Sequence, residues 1–363
     1  MSTKYEVLQV EARTGDVEAS LPFTGLSYSE ALNGAGSATV TIPLDAADPS
    51  TLLVGRSALV PTADGEPVWG GLLWGATADL AAGTLTLNAS GWHSYYDRRF
   101  LVRWVPRPGN VTLGKWRGYT ARKERSEMLR DWYELTSTGG IDTDTSMLTE
   151  RGFFRKRDWS FSEFKNMAEG IAELAEEGSG FDFWYETVWR NSARTRIANR
   201  IRTRPRLSRS FPTLTHRSNA DVTQVSYDGT KLATRAWAFG ADDGKGSKPI
   251  ATRDNALDTP TLHQVTTFSD VKGTAELQPK ASAMAAAGRA PIAIPTLTVY
   301  PGLFRPSQFM PGAVGYVKAS AGYVRLSDDY VLTERHVNVN ENGTESISLA
   351  LASKEVFLSD DSS

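Results

Sequence analysis

Cysteine is absent from the 363-residue sequence. Its absence excludes disulfides, thiolate-bound zinc, iron–sulfur clusters and thiol nucleophiles. No apolar run of about 18 residues occurs, so no membrane-spanning helix is expected. The opening MSTKYEVLQVEART has no apolar stretch and does not read as a secretory signal. Net charge is only -2, so electrostatics of the whole molecule does not make it a nucleic-acid binder. Histidine is scarce: His93, His216, His263 and His336 stand apart, with no second ligand at metal-binding spacing. The G-x-S-x-G elbow, the phosphate-binding loop and the dinucleotide fingerprint are all missing. No catalytic, metal or cofactor residue is assigned, and no cofactor is expected.

What the sequence does contain is short alternating strands. The most informative stretch is Pro67 to Phe100, PVWGGLLWGATADLAAGTLTLNASGWHSYYDRRF. Val68, Gly70, Leu72 and Trp74 alternate with Trp69, Gly71, Leu73 and Gly75, which predicts a strand. Glycine beside tryptophan predicts a bend where an indole packs over a residue without a side chain. Ala81-Ala82-Gly83 supplies a turn, and Thr84 to Ala89 alternates again. Ser90 is placed to cap a helix from about Trp92 to Phe100. Upstream, Tyr5 to Ala12, Phe23 to Ser29, Gly36 to Leu44 and Ser57 to Pro61 also read as strands. Five or six strands with regular turns in the first hundred residues predict a small antiparallel barrel or sandwich.

Residues 101–160 differ. Thr120 to Leu135 has helical composition, with Met128, Leu129, Trp132 and Leu135 on one side, and Thr136 to Met147 reads as an exposed loop. A helix is expected from Ser160, carrying Phe164, Met167, Ala168, Ile171 and Leu174, and ended by Gly178-Ser179-Gly180. Phe181 to Glu186 is an aromatic strand paired with Thr195 to Thr203. A hairpin is expected from Val222 to Tyr227, through Asp228-Gly229, to Ala233 to Gly240. A polar linker, 241–260, leads to an alanine-rich helix over Val271 to Gly288. Strands follow over Pro291 to Val299, Val314 to Lys318, Tyr323 to Leu326, Tyr330 to Asn340 and Glu345 to Leu351, with a last turn at Asn342-Gly343. The fold class expected is mainly β with an α+β insertion: two small antiparallel β-barrels plus an inserted helix–hairpin domain. The boundaries read as 1–104 for the first barrel (completed by 222–240), 105–221 for the insertion, 241–290 for a linker and a helix packing on the insertion, and 291–363 for the second barrel.

The arrangement resembles the tail-hub, or baseplate-hub, minor tail proteins of tailed bacteriophages. The residues that carry the resemblance are the small-residue strand Gly36 to Ile42, the W-x-G strand Val68 to Gly75, the Gly91-Trp92 step into a helix, the Pro311-Gly312 loop and the closing S-I-S-L-A-L of Ser346 to Leu351. The resemblance implies a structural, non-enzymatic virion protein. It implies a homotrimeric ring whose barrels alternate with pseudo-sixfold symmetry, joining the hexameric tail tube or distal tail protein to a threefold tail tip or fibre. The tape-measure protein is among the partners implied, DNA is only passing cargo, and the location is the virion tail tip, assembled in host cytoplasm. Some relatives carry a C-terminal peptidase or fibre extension; with the chain ending at Ser363, no such activity is expected.

Two features remain apart from the resemblance. Ten tryptophans, with Asp182 and Glu186 on one strand face, allow a carbohydrate-binding or glycan-degrading tail protein as the alternative. The bland reading of that face is a salt-bridged or solvated one. From Arg190 to Arg217 there are nine arginines and no acidic residue. Arg194, Arg196, Arg200, Arg202, Arg204 and Arg206 fall at even positions, on one face of a strand. They are the candidate partner-binding surface, for an acidic tail protein or DNA; otherwise they are a solvated edge guarded against strand pairing. Asp242-Asp243-Gly244-Lys245-Gly246 lacks the ligand pattern of a calcium loop and reads as linker.

Overall fold

The first strand shows how the polypeptide uses both faces of a sheet. In Tyr5–Glu11 nearly every side chain is buried. Tyr5 and Val7 enter one apolar cluster with Val40, Ile42, Leu59, Leu73 and Leu87. Leu8 and Val10 enter another with Ala58, Val60, Leu72 and Trp92. A strand whose alternate residues feed two cores must lie between two layers.

The computed structural model describes residues 3–107, 110–149, 153–176, 180–242, 247–268 and 271–354. Two compact units are present: Met1–Ala175 with Phe181–Arg206 and Glu334–Ile347, and Glu176–Gly180 with Leu207–Thr333 and Ser348–Ser363. The protein is mainly β, with four α-helices among the described residues.

In the first unit the strand order starts with Glu334–Asn340, the end of Val324–Asn340, beside Gly25–Ala31. It continues through Ser37–Pro43, Thr84–Gly91, Gly71–Asp79, Ser57–Ala63 and Tyr5–Glu11 to Val17–Leu21. All these pairs are antiparallel. The expected W-x-G bend is there: a bulge falls between Leu73 and Gly75. A Cβ on Gly71 would sit 2.6 Å from the Trp69 indole and 2.2 Å from the Ser90 carbonyl oxygen. The helix after Gly91 is only His93–Tyr96.

The rest of this unit is α+β. Helices Arg125–Ser137 and Met167–Glu176 pack on the hairpin of Phe181–Trp189 and Ile197–Pro205 through Met128, Leu129, Trp132, Ile171, Leu174, Phe181, Phe183 and Ile201. Two ribbons accompany them: Arg103–Arg107 with Asn110–Arg117, and Tyr119–Glu124 with Phe154–Trp159. The Tyr119–Glu124 strand takes the first residues of the expected helix. Ser160 opens a short turn, Phe161–Glu163, with a capping box, and the helix proper begins at Met167. Gly178-Ser179, expected to end it, lie outside the described residues, as do 243–246 of the calcium-like segment.

In the second unit Ala220–Asp228 pairs with Ile292–Val299. Val314–Ala321 pairs with the start of the long strand, Val324 to Val331. Arg235–Phe239 is the middle of a three-stranded sheet with Ile250–Asp254 and His263–Thr267. Helix Thr274–Ala287 covers that sheet through Leu277, Ala281, Met284 and Ala285 against Ala236, Ala238 and Ala251.

Four expectations are corrected here. The Asp228-Gly229 hairpin does not form, because a two-residue turn of that kind needs positive φ at its central residues. Neither Asp228 nor Gly229 has one; the Asp228 carboxylate instead accepts the Thr230 amide at 2.8 Å, and the strand finds its partner at Ile292–Val299. Segment 222–240 therefore does not complete the N-terminal sheet; Glu334–Asn340 flanks it. The expected linker 241–260 contains strand Ile250–Asp254. Among the described residues no sheet closes into a barrel, and the strand path stays open.

One glycine fixes how the first hairpin meets the arginine strand. The turn between the first two strands bridges Asp16 to Arg196, and the Ile197 amide donates to the Gly15 carbonyl at 2.8 Å. Gly15 has φ +77°, and a Cβ there would lie 2.2 Å from the Ile197 carbonyl oxygen. Gly15→Ala is expected to cost about 1–3 kcal/mol through overpacking, read as a lower urea midpoint with unchanged slope.

Candidate functional site

The arginine strand is part of a nine-residue antiparallel pair, running in register from Phe181 opposite Pro205 to Trp189 opposite Ile197. The predicted alternation holds along Ile197–Pro205. Ile197, Asn199, Ile201 and Thr203 are buried, whereas Arg200 and Arg202 are half-buried on the other face.

That face is a charge ladder with carboxylates from neighbouring strands. Asp144, directly opposite Arg200 in the short parallel strand Thr143–Asp144, takes the Arg200 Nε at 2.7 Å. Arg202 Nη1 lies 3.4 Å from Glu186. Arg204 Nε lies 3.2 Å from Asp182, which faces it in register. Trp184 sits among these pairs, with the Arg202 and Arg204 guanidinium carbons 5.9 and 5.1 Å from its ring centre. Flanking residues bind further out. Arg196 reaches Asp16 at 2.9 Å, Arg194 pairs with Glu66, Arg190 meets Asp142 at 2.8 Å, and Arg206 donates to the Ala175 carbonyl at 3.2 Å. At Asp144 burial works to raise the carboxyl pKa, but hydrogen bonds from Ser146 and the Arg200 guanidinium outweigh it and hold the group below its ordinary value.

This ladder relocates two expectations. Segment 136–147, read as an exposed loop, supplies Asp142 and Asp144 and buries Ile141. Its acidic, small-residue composition is what the arginine strand needs beside it, so the strand is no open edge at Asn199 and Arg200. Asp182 is engaged by the arginine that faces it and Glu186 by Arg202 on the adjacent strand, and Asp182 is buried. The pair offers no cleft with converging acids.

The other face of the hairpin carries a buried polar chain. Trp92 donates to the Thr187 hydroxyl at 2.9 Å. His93 Nδ1 lies 3.2 Å from the Tyr185 hydroxyl, which is 2.7 Å from that of Tyr133. Burial pushes the His93 pKa down to about 4. Burial, with neighbouring tyrosines, pushes Tyr133 and Tyr185 well above their ordinary value. His93 is thus a neutral packing residue. Because its folded pKa is depressed, its contribution is intact above the unfolded value of 6.5 and is lost as pH falls towards 4. Stability is expected to drop by about 2 kcal/mol between pH 6.5 and 5. Denaturation midpoints across that range should slope for the native sequence and flatten in His93→Phe.

No protein-family model matches the chain, and no curated protein sequence does. Solved structures do match, over almost its whole length. A tail protein from Neisseria meningitidis MC58 is 14% identical with a TM-score of 0.60, covering 99% of each chain. The chain has the fold of phage tail proteins. The 43 kDa tail protein of prophage MuSo2 from Shewanella oneidensis is 11% identical with a TM-score of 0.61, covering 97% of this chain and 99% of its own. Prophage tail protein gp18 from Listeria monocytogenes EGD-e is 12% identical with a TM-score of 0.56, covering 95% and 94%. Within this tail-protein fold the arginine ladder belongs to the segment between the two strand-rich ends.

The ten tryptophans divide between core and surface. Trp69, Trp92 and Trp132 are buried, but Trp104 and Trp116 are exposed. The signal available for them was Arg103-Trp104 and Lys115-Trp116-Arg117, indoles set among cations where a core strand carries none.

Proposed function

We propose that this chain is a structural tail-hub protein of a tailed phage, acting through shape and burial and not through catalysis. The observation that carries the reading is the end-to-end match to solved tail proteins, with 99% of both chains covered in the Neisseria case. In this reading three copies form a ring at the tail tip. It joins a hexameric tube or distal tail protein on one side to a threefold tip or fibre on the other. The strand-rich ends, 1–104 and 291–363, alternate around that ring, and 105–221 is an insertion. The arginine ladder supports a structural role for the insertion, since its charges are met within the chain.

Light scattering over a concentration series tests the assembly. The expected species has three times the chain mass of 39.7 kDa. A stable dimer or tetramer opposes the ring.

A further inference from the structure

The face around strands Arg103–Arg107 and Asn110–Arg117 carries a row of exposed aromatic rings. Five large rings run across it in contact. Trp104 meets Trp116 at 5.5 Å and Trp116 meets Phe161 at 6.3 Å. Phe161 meets Phe164 at 5.2 Å, and Phe164 meets Phe100 at 5.8 Å. All five are 37–50% exposed. A contiguous apolar patch of this kind is the usual mark of an interaction surface. Phe164 adds a second cost: it holds φ +44°, a region disfavoured for a bulky residue, and keeps its ring in solvent.

Beside the rings lies a groove of about 960 Å³, lined by Phe100, Trp104, Trp116, Tyr119, Arg103 and Glu134, among others. Arg103 and Arg117 face each other across the ladder, a like-charge pairing that is unfavourable in isolation. Neither they nor Lys115 has an ion-pair partner among the described residues. Of the groove's carboxylates, Asp131 is already bound by Lys123 at 2.8 Å. The unmatched charge is therefore mainly positive. The hairpin is a two-stranded ribbon whose outer edges pair with no strand among the described residues. Such an edge accepts an added extended segment.

The geometry points to a docking surface for an extended acidic polypeptide segment bearing apolar side chains. Its carboxylates meet Arg103, Lys115 and Arg117, and its apolar groups cover the rings. Nucleic acid fits less well, because stacking needs free ring faces and the Trp116 and Phe161 rings already stack on each other, with an interplanar angle of 15°. A bilayer cannot enter a concave groove.

The test uses the full chain and a fluorescein-labelled peptide of alternating Asp, Phe and Leu, followed by anisotropy. Its controls are the Lys-for-Asp peptide, oligothymidylate and phosphatidylglycerol vesicles. The acidic peptide should bind at least about tenfold tighter than its lysine counterpart. Arg103→Glu with Arg117→Glu should remove that preference. Phe164→Gly relieves the backbone strain, so it should weaken binding while leaving the melting temperature equal or higher. Failure of the acidic peptide to bind, binding unchanged in these variants, or tighter binding of oligothymidylate or vesicles overturns the proposal.

Discussion

Arg204→Met is expected to destabilise the protein by about 3–5 kcal/mol, because it removes the guanidinium paired with the buried Asp182 carboxylate. Both side chains of the pair are less than one-tenth exposed. Water therefore cannot replace the lost guanidinium, and the carboxylate loses the cation that offsets its burial. Adding Asp182→Leu should restore most of the loss, since apolar groups of similar volume often replace a buried ion pair at little cost. Arg194→Ala, whose pair is about half exposed on both sides, should shift stability by less than about 1 kcal/mol. Urea denaturation of the three variants separates the cases. A full-strength fold in Arg204→Met would mean that the strand's charge serves a partner and not the fold.

Trp132→Ala should cost about as much, 3–5 kcal/mol, by opening a cavity. Trp132 is fully buried. Its ring meets Tyr119 edge-on at 5.8 Å and Trp159 at 5.5 Å. It joins both helices to the strands in one cluster. Those walls belong to separate elements held by their own hydrogen bonds, so they cannot collapse far into the space an indole leaves. Trp132→Phe, which keeps most of the volume, should lose markedly less. Equal losses in the two variants would show that the site tolerates a void and that the cluster does not hold the insertion together.

The parts of the fold legible in sequence are those where period and burial coincide. Strand Thr84–Gly91 alternates as expected, and the arginine strand reveals its two faces because every second residue is cationic. Helix Thr274–Ala287 stops where Gly288 predicts. The rest depends on distant partners. Val17–Leu21, written VEASL, has one apolar residue buried and becomes a strand because Tyr5–Glu11 offers it an edge. Thr143–Asp144 is a strand only because Asn199 and Arg200 lie opposite. Asp228-Gly229 has the composition of a hairpin turn, but a turn residue prescribes a hairpin only if the backbone takes the positive φ that the turn requires. The candidate site followed the same division. Its cations were visible as a row, whereas the carboxylates that meet them come from positions 16, 66, 142, 144, 182 and 186, which no local pattern brings together.

The tail-hub proposal meets its most direct test in a cryo-electron microscopy reconstruction of the tailed particle that contains this protein. Three copies are predicted in a ring at the distal end of the tube, with strand-rich density in alternating positions. A six-copy ring within the tube, or a position in the capsid, would contradict it.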